Sequence, residues 1–205
     1  MPCSDFKGRA SRPLISILAC ALMMAVTQAH AGASVLPADS DAARRTGAQI
    51  AVPELHMVRQ DGTPVRLDQE LNDGRPVVVN FVYTSCTTIC PMTSLEFESL
   101  QKRLGKDRQR VHLVSISIDP EQDTPARLRS YAQQFHAGKE WDYYTSDAAT
   151  SVKAQMAFGV YRGDKMSHVP VTLLRTAPGN QWVRLDGFAT AEQVYAELQG
   201  LRASR

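Results

Sequence analysis

The chain has 205 residues, with 23 Lys and Arg against 21 Asp and Glu, for a formal charge of +2 at pH 7. Lys7, Arg9 and Arg12 set against Asp5 place that excess in the first 31 residues, so the remainder is close to neutral. A neutral body has no basic footprint for nucleic acid or an anionic membrane surface, and its length suits one domain with its own core.

Behind the positive stretch, Leu14 to Val26 is a short apolar run, and Ala29-His30-Ala31 has a small-x-small cleavage pattern. Together they predict a secretory signal peptide over residues 1–31, cut before Gly32. The run is shorter than the roughly 20 residues a spanning helix needs, and an uncleaved anchor is the alternative. Ile17-Leu18-Ala19-Cys20 faintly resembles a lipoprotein box, but the apolar run continues past Cys20. Cleavage removes Cys3 and Cys20. It leaves Cys86 and Cys90 as the thiols of an exported chain in an oxidising compartment. Residues 32–51 lack apolar periodicity and are expected to be a flexible lead-in, with residues 52–205 forming the domain. There is no internal repeat.

Leu55 to Arg59 and Val65 to Leu67, joined by Asp61-Gly62, read as a β-hairpin. Val77 to Val82 is an unbroken β-branched run, as expected of a central strand buried on both faces. Met92 to Leu104 has helical spacing through Leu95, Leu100 and Leu104, with Gly105 as a stop. Val111 to Ile118 is a second buried strand, ended by Asp119-Pro120. Asp123-Thr124-Pro125 starts a helix with a capping residue and an early proline. That helix runs to about Phe135. Trp141 to Thr145 is a strand, and Asp147 caps a helix from Ala148 to Phe158. Val169 to Leu174 and Trp182 to Leu185 form a hairpin around Pro178-Gly179-Asn180. Thr190-x-x-Gln193 is a capping box opening a last helix to about Leu201.

Alternating strands and helices predict an α/β fold with a mainly parallel central sheet, helices on both faces and the β-hairpin as an N-terminal extension. Sites in such sheets form at the carboxyl ends of strands. Cys86 and Asp119 both lie just past such ends.

Cys86-Thr-Thr-Ile-Cys90-Pro91 places two thiols where a buried strand hands over to a helix. That position suits a low-pKa thiolate, a soft-metal ligand or a reactive disulfide. At i and i+4 of a helix the two Cα atoms would be roughly 6 Å apart, within disulfide range. Two soft thiolates plus an imidazole select copper, and two cysteines are too few for a usual structural zinc site. Among the histidines, His30 leaves with the signal. His56 and His112 sit on strands, His112 at the wrong end of the sheet. His136 follows a helix, and His168 precedes Val169-Pro170. Taken alone, each reads as structural. Asp119 reads as a strand-ending turn residue, with a role in orienting a ligand as the alternative. Met156 fits a helix core face, whereas Met166, near His168, could be core or a soft ligand.

Three stretches together resemble the Sco/SenC family of copper-binding, thioredoxin-like cytochrome oxidase assembly proteins. They are Asn80-Phe-Val-Tyr-Thr-Ser-Cys86-Thr-Thr-Ile-Cys90-Pro91, Val114-Ser-Ile-Ser-Ile-Asp119-Pro120-Glu-Gln-Asp123-Thr-Pro125, and His168. The resemblance runs from about Pro53 to Gly200. It implies a thioredoxin-like fold with copper, Cu(I) or Cu(II), held by Cys86, Cys90 and His168, and with Cys86 and Cys90 as a redox-active pair. It also implies a periplasmic or otherwise exported metallochaperone assisting the binuclear copper centre of cytochrome c oxidase. Its partners would be the copper-site subunit of that oxidase and other periplasmic copper carriers or thiol reductants. Thr87 and Thr88 stand where the family's motif usually has an acidic residue, and Ser167 stands where one often precedes the histidine. The alternative is a metal-free thiol–disulfide oxidoreductase or thiol peroxidase, for which Thr87-x-x-Cys90 resembles the peroxiredoxin Thr-x-x-Cys.

Overall fold

In the computed structural model, which describes residues 42–203, eight strands make one sheet. They are β1 (Arg44–Ala48), β2 (His56–Arg59), β3 (Pro64–Arg66), β4 (Val77–Val82), β5 (His112–Ser117), β6 (Trp141–Thr145), β7 (Val171–Arg175) and β8 (Trp182–Asp186). Five α-helices join them: α1 (Leu67–Glu70), α2 (Ile89–Leu104), α3 (Pro125–Gln134), α4 (Ala148–Ala157) and α5 (Ala191–Ala203). Short 3-10 turns occupy Gly105–Arg110 and Lys165–Ser167. The predicted signal peptide, with Cys3, Cys20 and His30, lies outside the described residues. Among those residues, no helix is long and apolar enough to cross a membrane.

The sheet runs β1-β8-β7-β4-β5-β6-β2-β3. Every residue of β4 and β5 is buried, as their unbroken apolar runs require. β4 pairs parallel with β5, and β5 with β6. The other pairings are antiparallel. The sheet is therefore mixed, and the expected parallel arrangement is confined to its central three strands. Connection length accounts for the parallel β4–β5 and β5–β6 pairs and for the antiparallel β2–β3 and β7–β8 pairs, but not for β7, which follows the long α4 connection and still runs antiparallel to β4. α2 and α3 are long crossovers that return the chain to the same end of the sheet, whereas the turns at Asp61-Gly62 and Pro178-Gly179-Asn180 can only reverse it. Gly62 and Gly179 take φ of +90° and +81° there, values that favour glycine.

Side-chain alternation along the strands assigns the helices to faces. Asn80 and Ser115 are register partners. Ser115 Oγ donates to Asn80 Oδ1 at 2.7 Å, and Trp141 Nε1 donates to Ser115 Oγ at 2.9 Å. Trp141 packs on Phe97 of α2, and Tyr143 on Tyr131 of α3, so α2 and α3 cover that face. Phe81 points the other way and meets Phe158, at the end of α4.

Two local expectations give way to tertiary partners. Within the expected lead-in, Arg44–Ala48 is edge strand β1, paired with β8 from Arg44↔Asp186 to Ala48↔Trp182. Gln193 secures it, its Oε1 accepting from Ala43 N at 3.2 Å and its Nε2 donating to Ala43 O at 2.7 Å. The Thr190 capping box is consequently half made. Thr190 Oγ1 accepts from Gln193 N, while Glu96 of α2 accepts from Ala191 N at 2.6 Å. The second concerns helix faces. α2 starts at Ile89 and buries Cys90, Phe97, Leu100 and Leu104, leaving Leu95 exposed. α4 buries Ser151, Ala154 and Gln155, leaving Met156 exposed.

Candidate functional site

Cys86 and Cys90 are both free thiols, and they are brought together by the loop from β4 into α2. Cys86 lies before the helix and Cys90 in its first turn, so the two are not stacked a turn apart. Cys86 Sγ instead accepts from the Cys90 backbone N–H at 3.4 Å. Thr88, the residue at the helix N-cap, makes no side-chain cap, so the Cys86 sulfur serves one of the orphan N–H groups of α2.

The two thiols differ sharply in acidity. Burial opposes ionisation of Cys86, but the backbone N–H groups of Cys90 and Thr88 and the Tyr83 hydroxyl outweigh it, bringing Cys86 down to about 7. Burial dominates at Cys90, and with the neighbouring Cys86 pushes it up to about 12. Near neutral pH Cys86 is poised between thiol and thiolate, while Cys90 stays a buried thiol.

The loop is anchored by a residue that the sequence marked only as a helix-cap candidate. Thr124 takes the cap of α3, accepting from Arg127 N at 3.3 Å. Asp123 turns inward, fully buried. Its carboxylate accepts from Thr84 N at 3.1 Å, Thr84 Oγ1 at 2.6 Å and Ser117 Oγ at 2.6 Å. It thereby pins the start of the cysteine loop to the end of β5. Adjacent Asp and Thr are both good caps, so only the packing decides which one turns in. Asp119 is buried and pairs with Lys165 at 2.6 Å, tying the Lys165–Ser167 turn to the same edge.

His168 follows that turn and is 8% exposed. Its Nε2 lies 3.2 Å from Phe81 O. A carbonyl can only accept, so Nε2 carries the proton and Nδ1 keeps its lone pair. Burial lowers the pKa of His168, the bond to Phe81 opposing this in part, so the ring is a neutral nitrogen donor. The ring hangs from the carboxyl-terminal half of β4, the strand that delivers the cysteines. It makes no hydrogen bond to either sulfur.

Among the described residues, the trio of His, Cys, Asp or Glu whose ligand atoms all lie within 4.8 Å is Glu70, His112 and Asp142. His112 Nε2 faces Asp142 Oδ2 at 3.0 Å, and Nδ1 faces Glu70 O at 3.2 Å and Asp73 Oδ2 at 3.3 Å. Tyr144 donates to Glu70 at 2.6 Å, Gln60 donates to Asp142 at 3.2 Å, and Arg59 lies 3.9 Å from both carboxylates. Neither ring nitrogen is free and a cation already sits beside the acids, so this cluster is a clamp rather than a metal site.

A sequence model of the SCO1/SenC family matches residues 43–202. The chain belongs to the SCO1/SenC family. A SCO1 protein homolog of Bacillus subtilis is 33% identical over 95 residues, covering 46% of this chain and 48% of the relative. The chain thus matches about half the length of such curated relatives. Copper-bound ScoI of Bradyrhizobium japonicum superposes with a TM-score of 0.59 at 26% identity, over 72% of this chain and 96% of that one. BsSco, described as a Sco-family cytochrome c oxidase assembly protein with a disulfide switch, gives 0.65 at 24% identity over 78% and 98%. The fold is thioredoxin-like.

Proposed function

We propose that this chain is an exported copper metallochaperone that assists assembly of the binuclear copper centre of cytochrome c oxidase. One observation carries the reading: a reduced, adjacent thiol pair and a histidine with an unspent Nδ1 lone pair occupy one edge of the sheet. Two soft sulfurs and one imidazole are a donor set for Cu(I), and copper here is cargo. Cys86 is the first sulfur to engage it, being ionised near neutral pH. Cys90 must give up its proton as it binds, so loading releases protons and strengthens with pH. Phe81 orients His168 through its distal nitrogen. Membership of the family, the copper-bound ScoI and the assembly role of BsSco support the reading. The predicted signal peptide supports an exported location. The acceptor would be the copper-bearing subunit of the oxidase, and other periplasmic copper carriers or thiol reductants would supply the ion or the electrons.

The split between Cys86 and Cys90 supports a second reading, thiol–disulfide exchange without metal. Cys86 thiolate attacks a partner disulfide, the mixed disulfide forms, and Cys90 displaces the partner's second thiolate. The Cys86–Cys90 pair ends oxidised and the partner reduced. Anaerobic Cu(I) titration against a competing chelator separates the readings. One-to-one binding, lost in Cys90→Ser and weakened in His168→Ala, is the expected result. Binding no tighter than in these variants, together with copper-free disulfide or peroxide turnover, overturns the chaperone in favour of the redox catalyst.

A further inference from the structure

The metallochaperone reading leaves one exposed sulfur at the site edge without a role. Met166 is 74% exposed and sits in the Lys165–Ser167 turn, two residues before His168. A thioether left so far in water contributes little through burial. Its sulfur is nevertheless placed. Tyr83 Oη lies 3.9 Å from Met166 Sδ, and the Tyr83 carbonyl accepts from Cys86 N at 3.1 Å. One residue, Tyr83, thus contacts both the thioether and the backbone of the reactive cysteine.

The backbone that carries Met166 is held from several sides. Asp164 Oδ1 accepts from Met166 N at 2.9 Å. Lys165 Nζ reaches Asp119 at 2.6 Å, and His168 hangs from Phe81 O. The side chain itself keeps three rotatable bonds. A fixed turn with a free arm leaves Sδ mobile beside Tyr83, the residue that also holds Cys86 N.

From this juxtaposition of Met166, Tyr83, Cys86 and His168 we propose that Met166 Sδ is a transient Cu(I) ligand through which the ion passes to and from the cysteine pair. The proposal rests on the copper reading above. A neutral thioether is soft enough to select Cu(I) and holds it more weakly than a thiolate, which suits transfer rather than storage. On release, a Cu–Sδ bond to Met166 forms as the Cu–N bond to His168 breaks. The metal stays Cu(I), and no proton or electron moves. The acceptor's ligand then displaces the thioether.

The test compares exported wild-type protein with Met166→Leu and Met156→Leu, each loaded with one Cu(I). Met156 is also exposed, but lies on α4. Equilibrium affinity is read against a bidentate chelator, and the transfer rate to that chelator by stopped flow. Met166→Leu is expected to keep its affinity within about threefold and to transfer about tenfold more slowly, with Met156→Leu matching wild type. A second arm uses selenomethionine protein carrying His168→Ala. Selenium-edge absorption is expected to show a copper neighbour that disappears when Met166→Leu is added. If wild type binds Cu(I) but Met166→Leu transfers at the wild-type rate, or selenium sees no copper, this inference is overturned and the chaperone reading stands. If wild type binds no Cu(I), both fall.

Discussion

Two groups of metal-capable side chains lie at opposite ends of the central strands, and they are built in opposite ways. At the amino end, His112 is clamped between Asp142, Asp73 and the Glu70 carbonyl, with Arg59, Tyr144 and Gln60 engaging the acids. At the carboxyl end, Cys86, Cys90 and His168 share an edge but are not drawn to one point, and His168 spends one nitrogen on a backbone carbonyl. The tighter cluster is the worse metal site, because its lone pairs and charges are already matched. The looser one keeps soft donors available, as the proposed copper delivery needs.

Substitutions sharpen this contrast. Cys90→Ser is expected to weaken Cu(I) binding by about a thousandfold or more, equivalent to roughly 4 kcal/mol, as read by chelator competition. The same assay on His112→Ala should show wild-type affinity, whereas denaturant unfolding of that variant should show a loss of about 3 kcal/mol from the removed buried imidazole and its broken hydrogen bonds to Asp142 and the Glu70 carbonyl. Copper loss in His112→Ala without unfolding would reverse the assignment of the two clusters. His168→Ala is expected to lose about a hundredfold in Cu(I) affinity and about 1.5 kcal/mol of stability, because it strands the buried Phe81 carbonyl. Asp123→Asn keeps one acceptor oxygen and should cost about 1.5 kcal/mol of stability, with a rise in the Cys86 pKa if the loop loosens.

The mildest perturbation is pH. Cys86 reacts as its deprotonated form, and its pKa is lowered to about 7. The alkylation rate of the reduced protein should therefore rise with pH, with a midpoint near that value. Cys90, pushed up to about 12, should stay unmodified across the same range. Equal labelling of the two by mass spectrometry would break the asymmetry.

Much of this was legible along the chain. The run Val77–Val82 could only be a buried central strand, and Cys86 to Pro91 had to open a helix at its end. Asp147 was a cap and is one, accepting from Thr150 N at 2.8 Å. What was not legible depended on partners distant in sequence. Arg44–Ala48 has no apolar period and becomes a strand only because β8 and Gln193 receive it. Leu95 faces out, because five residues from Leu100 is about 140° round the helix, which is off the buried stripe that Phe97, Leu100 and Leu104 share.

The sequence by itself determined the α/β class, the order of the elements, the thiol pair at a strand-to-helix junction and membership of the family. Those are properties of local pattern and spacing, which survive without knowledge of what packs where. Only the tertiary structure decided that Asp123 turns inward and Thr124 caps, that Cys86 is acidic while Cys90 is not, and that His168 rather than His112 keeps a free nitrogen. Each of those depends on burial and hydrogen-bond partners up to 87 residues away, and a side chain's protonation and orientation are set by that surrounding field rather than by its neighbours in sequence.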